Sequence, residues 1–332
     1  MAAEPNTPEW WLRTLHARLQ ARRSDIELVR GYYDGRHRLA FASQKFAETF
    51  GGLFGAFADN WCGMVVDASV ERLGVQGFRV GETPKADDDA WRIWQENDCD
   101  SESKLAFTES HVTGDCVATA WFGDDDKAEI TFEPADCAIV AVDPKNRRRR
   151  LAGVRFWLDD WGFEHAELFL PNRVHTWRSK TTRSAGSIVD PMRVHWVPAT
   201  GIGGTVLDGT SSSMPNPLGV VPMVSLVNNP RLWNPREDCV AGSEIQAIIP
   251  LQDAVNKLIA DLLVASEAGA LPLRYATGYT PSVDPKTNEA LPPPWARDGA
   301  KWAITQDAQG KFGSLAAADL GNFVKAIELL VQ

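Results

Sequence analysis

The chain is poor in the residues from which catalytic centres and extracellular frameworks are usually built. Its 332 residues include 5 cysteines, 4 tyrosines, 5 methionines and 6 histidines. The cysteines (Cys62, Cys99, Cys116, Cys137 and Cys239) are odd in number, widely spaced and form no C-x-x-C pair. Neither a disulfide framework nor a thiolate zinc site is therefore indicated. They read as reduced, mostly buried thiols of a chain made and used in a reducing cytoplasm. Long apolar runs are lacking too. The best, Leu258 to Ala265, is interrupted by Asp261 and falls far short of the ~18 residues that span a bilayer. No membrane partner is expected. Near the start, Glu4 stands where a signal peptide carries positive charge, and no apolar stretch follows. Basic charge is the last deficit: 34 Lys and Arg against 44 Asp and Glu leave a net charge of −10. That balance argues against a broad basic surface for nucleic acid.

What is present suffices for ordinary folding. Hydrophobic residues make up 44% of the chain and charged ones 23%, close to the average for globular proteins. The length allows two domains, or three small ones.

Helical period opens the chain. Thr7-Pro8 supplies an N-cap followed by a proline at the first helical position, and Trp11, Leu15, Leu19, Ile26 and Val29 form an apolar stripe. Further helices are expected over residues 46–73, 87–97 and 101–113. After Gly114 the period changes to alternation. Hairpins are expected over residues 116–132, 138–158 and 165–177, a meander with one face packed and one solvated. Residues 201–219 have linker composition, and a short strand follows over 220–227. A long helix is then expected from Gly242, kinked or interrupted at Pro250. Ile249, Leu258 and Leu262 lie on its apolar face, while Asp253, Lys257 and Asp261 form a polar row one turn apart. Strand and loop occupy residues 270–313. Helical period returns at Leu320, Phe323, Val324, Ile327 and Leu330 and runs to Gln332 without glycine, proline or a basic last turn. That ending reads as a fragment cut within a helix. The fold class is α+β.

Chemistry is hard to find in this pattern. The glycines Gly201, Gly203 and Gly204 are followed by Thr205-Val206 and no lysine, so no P-loop is present. Neither G-x-S-x-G nor H-E-x-x-H occurs. His165 and His175 could face each other across a hairpin and, with Glu164 or Glu167, bind a metal; packed or solvated histidines are the favoured reading. Asp124-Asp125-Asp126 reads as a turn rather than a cation site. Arg147 to Arg150 is the one dense basic run, either a contact for phosphate or an acidic partner or the solvated shoulder of a hairpin, with the shoulder favoured. Of 13 tryptophans, Trp94, Trp121, Trp157 and Trp177 occupy core-like positions. A transferase would have to draw on Asp136, Glu133, His165 and Arg155, which do not assemble into a recognisable set. No catalytic, metal or cofactor-binding residue is assigned, and no enzyme is expected.

Several segments carry a resemblance. They begin at Tyr32-Tyr33-Asp34-Gly35 and continue through Asn60-Trp61, Val65-Val66-Asp67-Ala68, Glu71-Arg72-Leu73-Gly74-Val75 and Gly77-Phe78. Glu96-Asn97-Asp98 and the hairpin from Asp136 to Arg150 follow. The strongest stretch runs from Pro217-Leu218-Gly219 through Val221-Pro222-Met223-Val224, Asn228-Asn229 and Gly242-Ser243-Glu244 to Leu251 through Lys257. In these words and their order the chain resembles the bacteriophage portal proteins of tailed siphophages.

The resemblance implies a ring, usually a dodecamer, at one capsid vertex, with terminase pumping double-stranded DNA through its tunnel. A head–tail adaptor and the major capsid and scaffold proteins would be further partners. It places a wing over residues 1–240: helical over 1–113, a β meander over 115–200 and a linker over 201–219. A first stem helix would cover 242–269, a clip 270–313 and the start of a second stem helix 319–332. The family continues into a tunnel loop, a long wing helix and a crown, so the chain reads as truncated before them. On this reading part of the row Asp253, Lys257 and Asp261 faces the channel, and Ile249, Leu258 and Leu262 pack against neighbouring stem helices. The protein would be assembled in the host cytoplasm and reside in the virion. The rival readings are a head–tail adaptor, which is usually much shorter, and the transferase.

Overall fold

In the computed structural model the described residues are 4–37, 59–79, 85–123, 127–182, 194–199, 213–231, 241–270, 274–277, 283–287, 310–314 and 320–331, with the single residues Ala40, Gly81 and Glu289. They form an α+β fold divided into two units. One comprises Met1–Arg38 with Ala58–Gln252, the other Leu39–Phe57 with Asp253–Gln332.

Helix α1 (Pro8–Tyr33) starts where its chemistry dictates. The Thr7 side chain accepts a hydrogen bond from the Trp10 amide at 3.3 Å, Pro8 opens the helix and Glu9 lies in the first turn. Leu12, Leu15, His16, Leu19, Ile26, Val29 and Tyr32 make its buried stripe, the spacing of one helical face. Two cores divide that stripe. Leu12, Leu15 and Leu19 pack on a sheet with Val154, Phe156, Ala166 and Leu168, whereas Val29 and Tyr32 join Cys62, Val66, Val112 and Ile245. Each fully buried leucine contributes about 1.5–3 kcal/mol relative to exposure.

The second core is built from α2 (Trp61–Val70), capped by Asn60, and α4 (Cys99–Thr113), which ends on Gly114 at φ +93°. A Cβ on Gly114 would also come within 3.1 Å of Ala241, so conformation and space both require glycine there. Helix α3 (Asp88–Glu96) lies between them in sequence, and the Asp87 carboxylate caps it through the Ala90 amide at 3.0 Å. Of the helix expected over 46–73, residues 59–73 are described, and residues 46–58 lie outside the described residues.

Strands β1 (Cys116–Phe122) and β2 (Ala128–Pro134) pair as the expected hairpin, and β9 (Met223–Ser225) adds to the free edge of β1. The larger sheet runs in the order β3 (Ala138–Asp143), β4 (Asn146–Leu158), β5 (Glu164–Phe169), β6 (Arg173–Ser179) and β7 (Trp196–Pro198). Strand β8 (Ser213–Pro215) also pairs with β6, along Arg173 to His175. Part of the stretch expected as linker is thus a strand, while residues 201–212 lie outside the described residues.

The meander departs from expectation in its burial. Every residue of β5 is buried. Helix α1 covers one face, and Val117, Val221 and Met223 of the smaller sheet's region pack with Ala138, Phe169 and Val174 on the other. Close approach fixes this contact: a Cβ on Gly153 would fall 2.6 Å from the Met223 sulfur. Arg155 of β4 links the layers, bonding Glu167 at 2.7 Å and lying 3.5 Å from Glu133 of β2.

The long helix also differs. Residues 242–248 are turns and bends, and α5 spans Ile249–Ala270. Pro250 begins this helix instead of kinking it, because a first-turn amide has no partner to lose. In the second unit, β10 (Arg274–Thr277) pairs with β11 (Lys311–Ser314), and α6 spans Gly321–Val331 with no buried residue.

Candidate functional site

Helix α5 buries the residues its amphipathic pattern would leave outside. Gln252, Asp253 and Asn256 are buried together with Val255 and Ala260. The Gln252 side-chain carbonyl accepts the Trp61 amide at 2.8 Å, which gives this polar burial a structural purpose. Ile249, Leu258 and Leu262 are half-buried, and Leu251 and Leu263 are 48% and 44% exposed. Leu251, Leu258 and Leu262 are spaced as one stripe of a helix.

The polar row is divided. Asp253 is buried, whereas Lys257 and Asp261 are half-buried and form an i,i+4 ion pair. On α6, Phe323, Ala326, Ile327 and Leu330 are half-buried, and Leu329 is 78% exposed.

Elsewhere charged groups clamp elements together. Arg30 of α1 donates to Glu109 of α4 at 2.7 Å and to Asp136, before β3, at 2.8 Å. Burial pushes the Asp136 carboxyl upward, but the bond from Arg30 and its charge outweigh this and hold it below the usual carboxylate range. Asp115, at the α4–β1 junction, has the opposite fate. Burial pushes it up to about 6 against the opposing Arg22 charge 3.5 Å away, and its Oδ1 has no hydrogen-bond partner among the described residues.

The candidate metal and transferase sets fail on register. His165 stands opposite Arg178, and His175 stands opposite Leu168, so the two histidines lie on opposite faces of the sheet. His165 bonds Asp159 at 2.9 Å and stacks on Trp157, while His175 stacks on Trp177. Asp136 is held by Arg30, and Glu133 lies beside Arg155. Among the described residues no group of three or more His, Cys, Asp or Glu could hold a metal. Asp124 to Asp126 and Cys239 lie outside the described residues. Cys99 and Cys116 are free and buried, Cys137 is free and half-buried, and Cys62 is buried. Trp94 and Trp177 are buried, but Trp121 and Trp157 only partly.

Two surface features stand out, and only the second was legible in the sequence, as the basic shoulder of a hairpin. A groove of about 560 Å3 runs beside α2, lined by Tyr33, Asn60, Met64, Asp67 and Glu71 among others. Tyr33 donates its hydroxyl to Asp67 at 2.9 Å, and the side chain of Asn60 donates to the Tyr33 carbonyl at 2.8 Å. The second is the turn end of the β3–β4 hairpin. There Arg147, Arg148 and Arg149 are exposed, while Arg150 is occupied by the Met223 carbonyl at 3.0 Å.

The comparisons agree on one family. The sequence model for "Phage portal protein, SPP1 Gp6-like" matches residues 13–328. The portal protein of Mycobacterium phage D29 is 29% identical over 285 residues, covering 81% of this chain and 52% of that protein. The portal protein of Mycobacterium phage L5 is 27% identical over 284 residues, with the same two coverages of 81% and 52%. The chain spans about half the length of the curated relatives it matches.

Proposed function

Given that the chain belongs to the SPP1 Gp6-like phage portal protein family, whose members are structural components of the virion, we propose that it is a structural subunit of a ring at the capsid vertex through which DNA is packaged and ejected. The ring is a dodecamer in the full-length protein, assembled in the host cytoplasm, with terminase, the head–tail adaptor and the capsid and scaffold proteins as partners. It acts as a conduit, without a cofactor or catalytic step of its own. Residues 1–240 form the wing, residues 270–313 the clip, and α5 and α6 supply the two stem helices.

The observation that carries this reading is the exposure pattern of α5. A helix that buries Gln252, Asp253 and Asn256 while leaving leucines half in solvent has an apolar stripe available to another subunit. Leu258 and Leu262 pack there against neighbouring stem helices, whereas Ile249, expected with them, packs against the second core of its own chain. Lys257 and Asp261 turn toward the lumen, and Asp253 is not part of that surface. The net charge of −10 suits a wall past which a polyanion must slide without adhering.

The test is electron microscopy of the longest protein the gene encodes. A closed ring with an axial opening is expected. A monodisperse monomer at micromolar concentration overturns the proposal. A Lys257→Cys variant, cross-linked in the ring, locates the row: reagents reaching it only from outside the ring contradict a lumenal lysine.

A further inference from the structure

We propose that the arginine end of the β3–β4 hairpin on one copy docks into the groove beside α2 on the next, making a head-to-tail polar contact within the ring proposed above.

The hairpin supplies the cationic half. Arg147 and Arg148 have no acidic partner among the described residues, and Arg149 approaches only Asp143, at 3.9 Å with 70% of its side chain exposed. By strand alternation Arg147 and Arg149 project on one side of β4 and Arg148 on the other, a concentration of positive charge relieved by carboxylates from outside.

The groove supplies the anionic half. Asp67 lies in the last turn of α2 and Glu71 caps its end, with no basic residue in that turn. Carboxylates at a helix C-terminus are disfavoured by the carbonyl dipoles. Among the described residues Glu71 has no ion-pair partner, and Asp67 receives only the Tyr33 hydroxyl. One turn before Asp67 lies Met64, 58% exposed, an apolar surface suited to the stem of an arginine. Two carboxylates one helical turn apart match guanidinium groups on a strand better than a compact ammonium, because arginine binds through a planar fork.

The halves are set apart within one copy. Arg30, one turn before Tyr33, holds Asp136 at the base of the hairpin. The six residues of β3 carry the chain about 20 Å from that base to the arginine turn. Different patches that complement each other on one subunit make a heterologous interface, the type that closes rings.

The test uses the longest protein the gene encodes and follows assembly by electron microscopy and sedimentation. Arg147→Glu with Arg148→Glu should weaken assembly about tenfold or more, as should Asp67→Lys with Glu71→Lys. The four substitutions together should restore it, which a mere folding defect would not. A disulfide between Arg148→Cys and Glu71→Cys should give a ladder of covalently linked subunits. Rings from the wild type that ignore the reversals and form no ladder overturn this contact but leave the ring reading standing. Absence of rings from the wild type overturns both. Salt-sensitive binding of the hairpin to double-stranded DNA, lost on Arg147→Glu with Arg148→Glu while assembly is unchanged, assigns the arginines to nucleic acid and also overturns the contact.

Discussion

Strand β5 and helix α5 bury their side chains by opposite rules. β5 has every residue buried, with Ala166 and Leu168 beneath α1 and Phe169 beneath the small sheet. α5 buries Gln252, Asp253 and Asn256 and leaves Leu251 and Leu263 nearly half exposed. The first is a finished core. The second leaves apolar side chains outside, and on the reading proposed above their partner comes from another molecule. Apolar burial drives both, but only the first completes it among the described residues.

The largest effect that can test this contrast is truncation in the finished core. Leu168→Ala should cost about 3 kcal/mol in urea unfolding, whereas Leu262→Ala should cost well under half of that and instead abolish or weaken ring formation. Equal losses of stability would erase the distinction between the two regions.

Next in size is Gly153→Val, which forces a side chain against Met223 where even a Cβ would lie 2.6 Å from its sulfur. About 1–3 kcal/mol of destabilisation is expected. A smaller residue at 223 in the same protein should recover part of it, as thermal unfolding would show.

Asp115 adds a pH dependence confined to the first unit. Burial pushes its pKa up to about 6 in the folded chain, above the usual carboxylate value of 3.8, so the folded state holds the proton more tightly. Stability from this group is therefore present at low pH and falls as pH rises from about 4 to 6. Asp136 runs the other way, its lowered pKa giving stability that is lost as pH falls. The difference between wild type and Asp115→Asn isolates the first term. Urea midpoints measured from pH 4 to 7 should converge at the acid end and separate toward neutrality, with the variant the more stable. Parallel curves would contradict this.

Lys257→Ala is the smallest. It removes an i,i+4 pair with Asp261 that is partly exposed, so unfolding should change by about 0.5 kcal/mol or less. A much larger loss would mean that α5 is supported through its polar row.

Much of the fold was legible because its signals are local. The Thr7 cap, the Asp87 cap, the Gly114 terminus and the turn from Asp143 to Asn146 are decided within a few residues. The hairpins followed from alternation. Three features escaped because they depend on distant residues. The β8 pairing spans about forty positions to Arg173. The covering of β5 needs Met223. The start of α5 depends on whether turns at 242–248 are held elsewhere, as the Glu244 amide is by the His111 carbonyl at 3.0 Å. For the candidate site, the row Asp253, Lys257 and Asp261 and the apolar stripe were visible as periodicity. The groove at Tyr33, Asp67 and Glu71 was not, since it joins the end of α1 to α2.

The amino-acid order by itself determined the types and most termini of the elements, the acidic balance and the likeness to portal proteins, because caps, turn residues and periodicity act over a few residues. Only the tertiary structure decided which face of each element is inside. A helical stripe marks two faces but does not say which will be covered. That choice fell to contacts such as the Trp61 amide on Gln252, 191 residues away in the chain, which holds a polar side chain of α5's first turn buried.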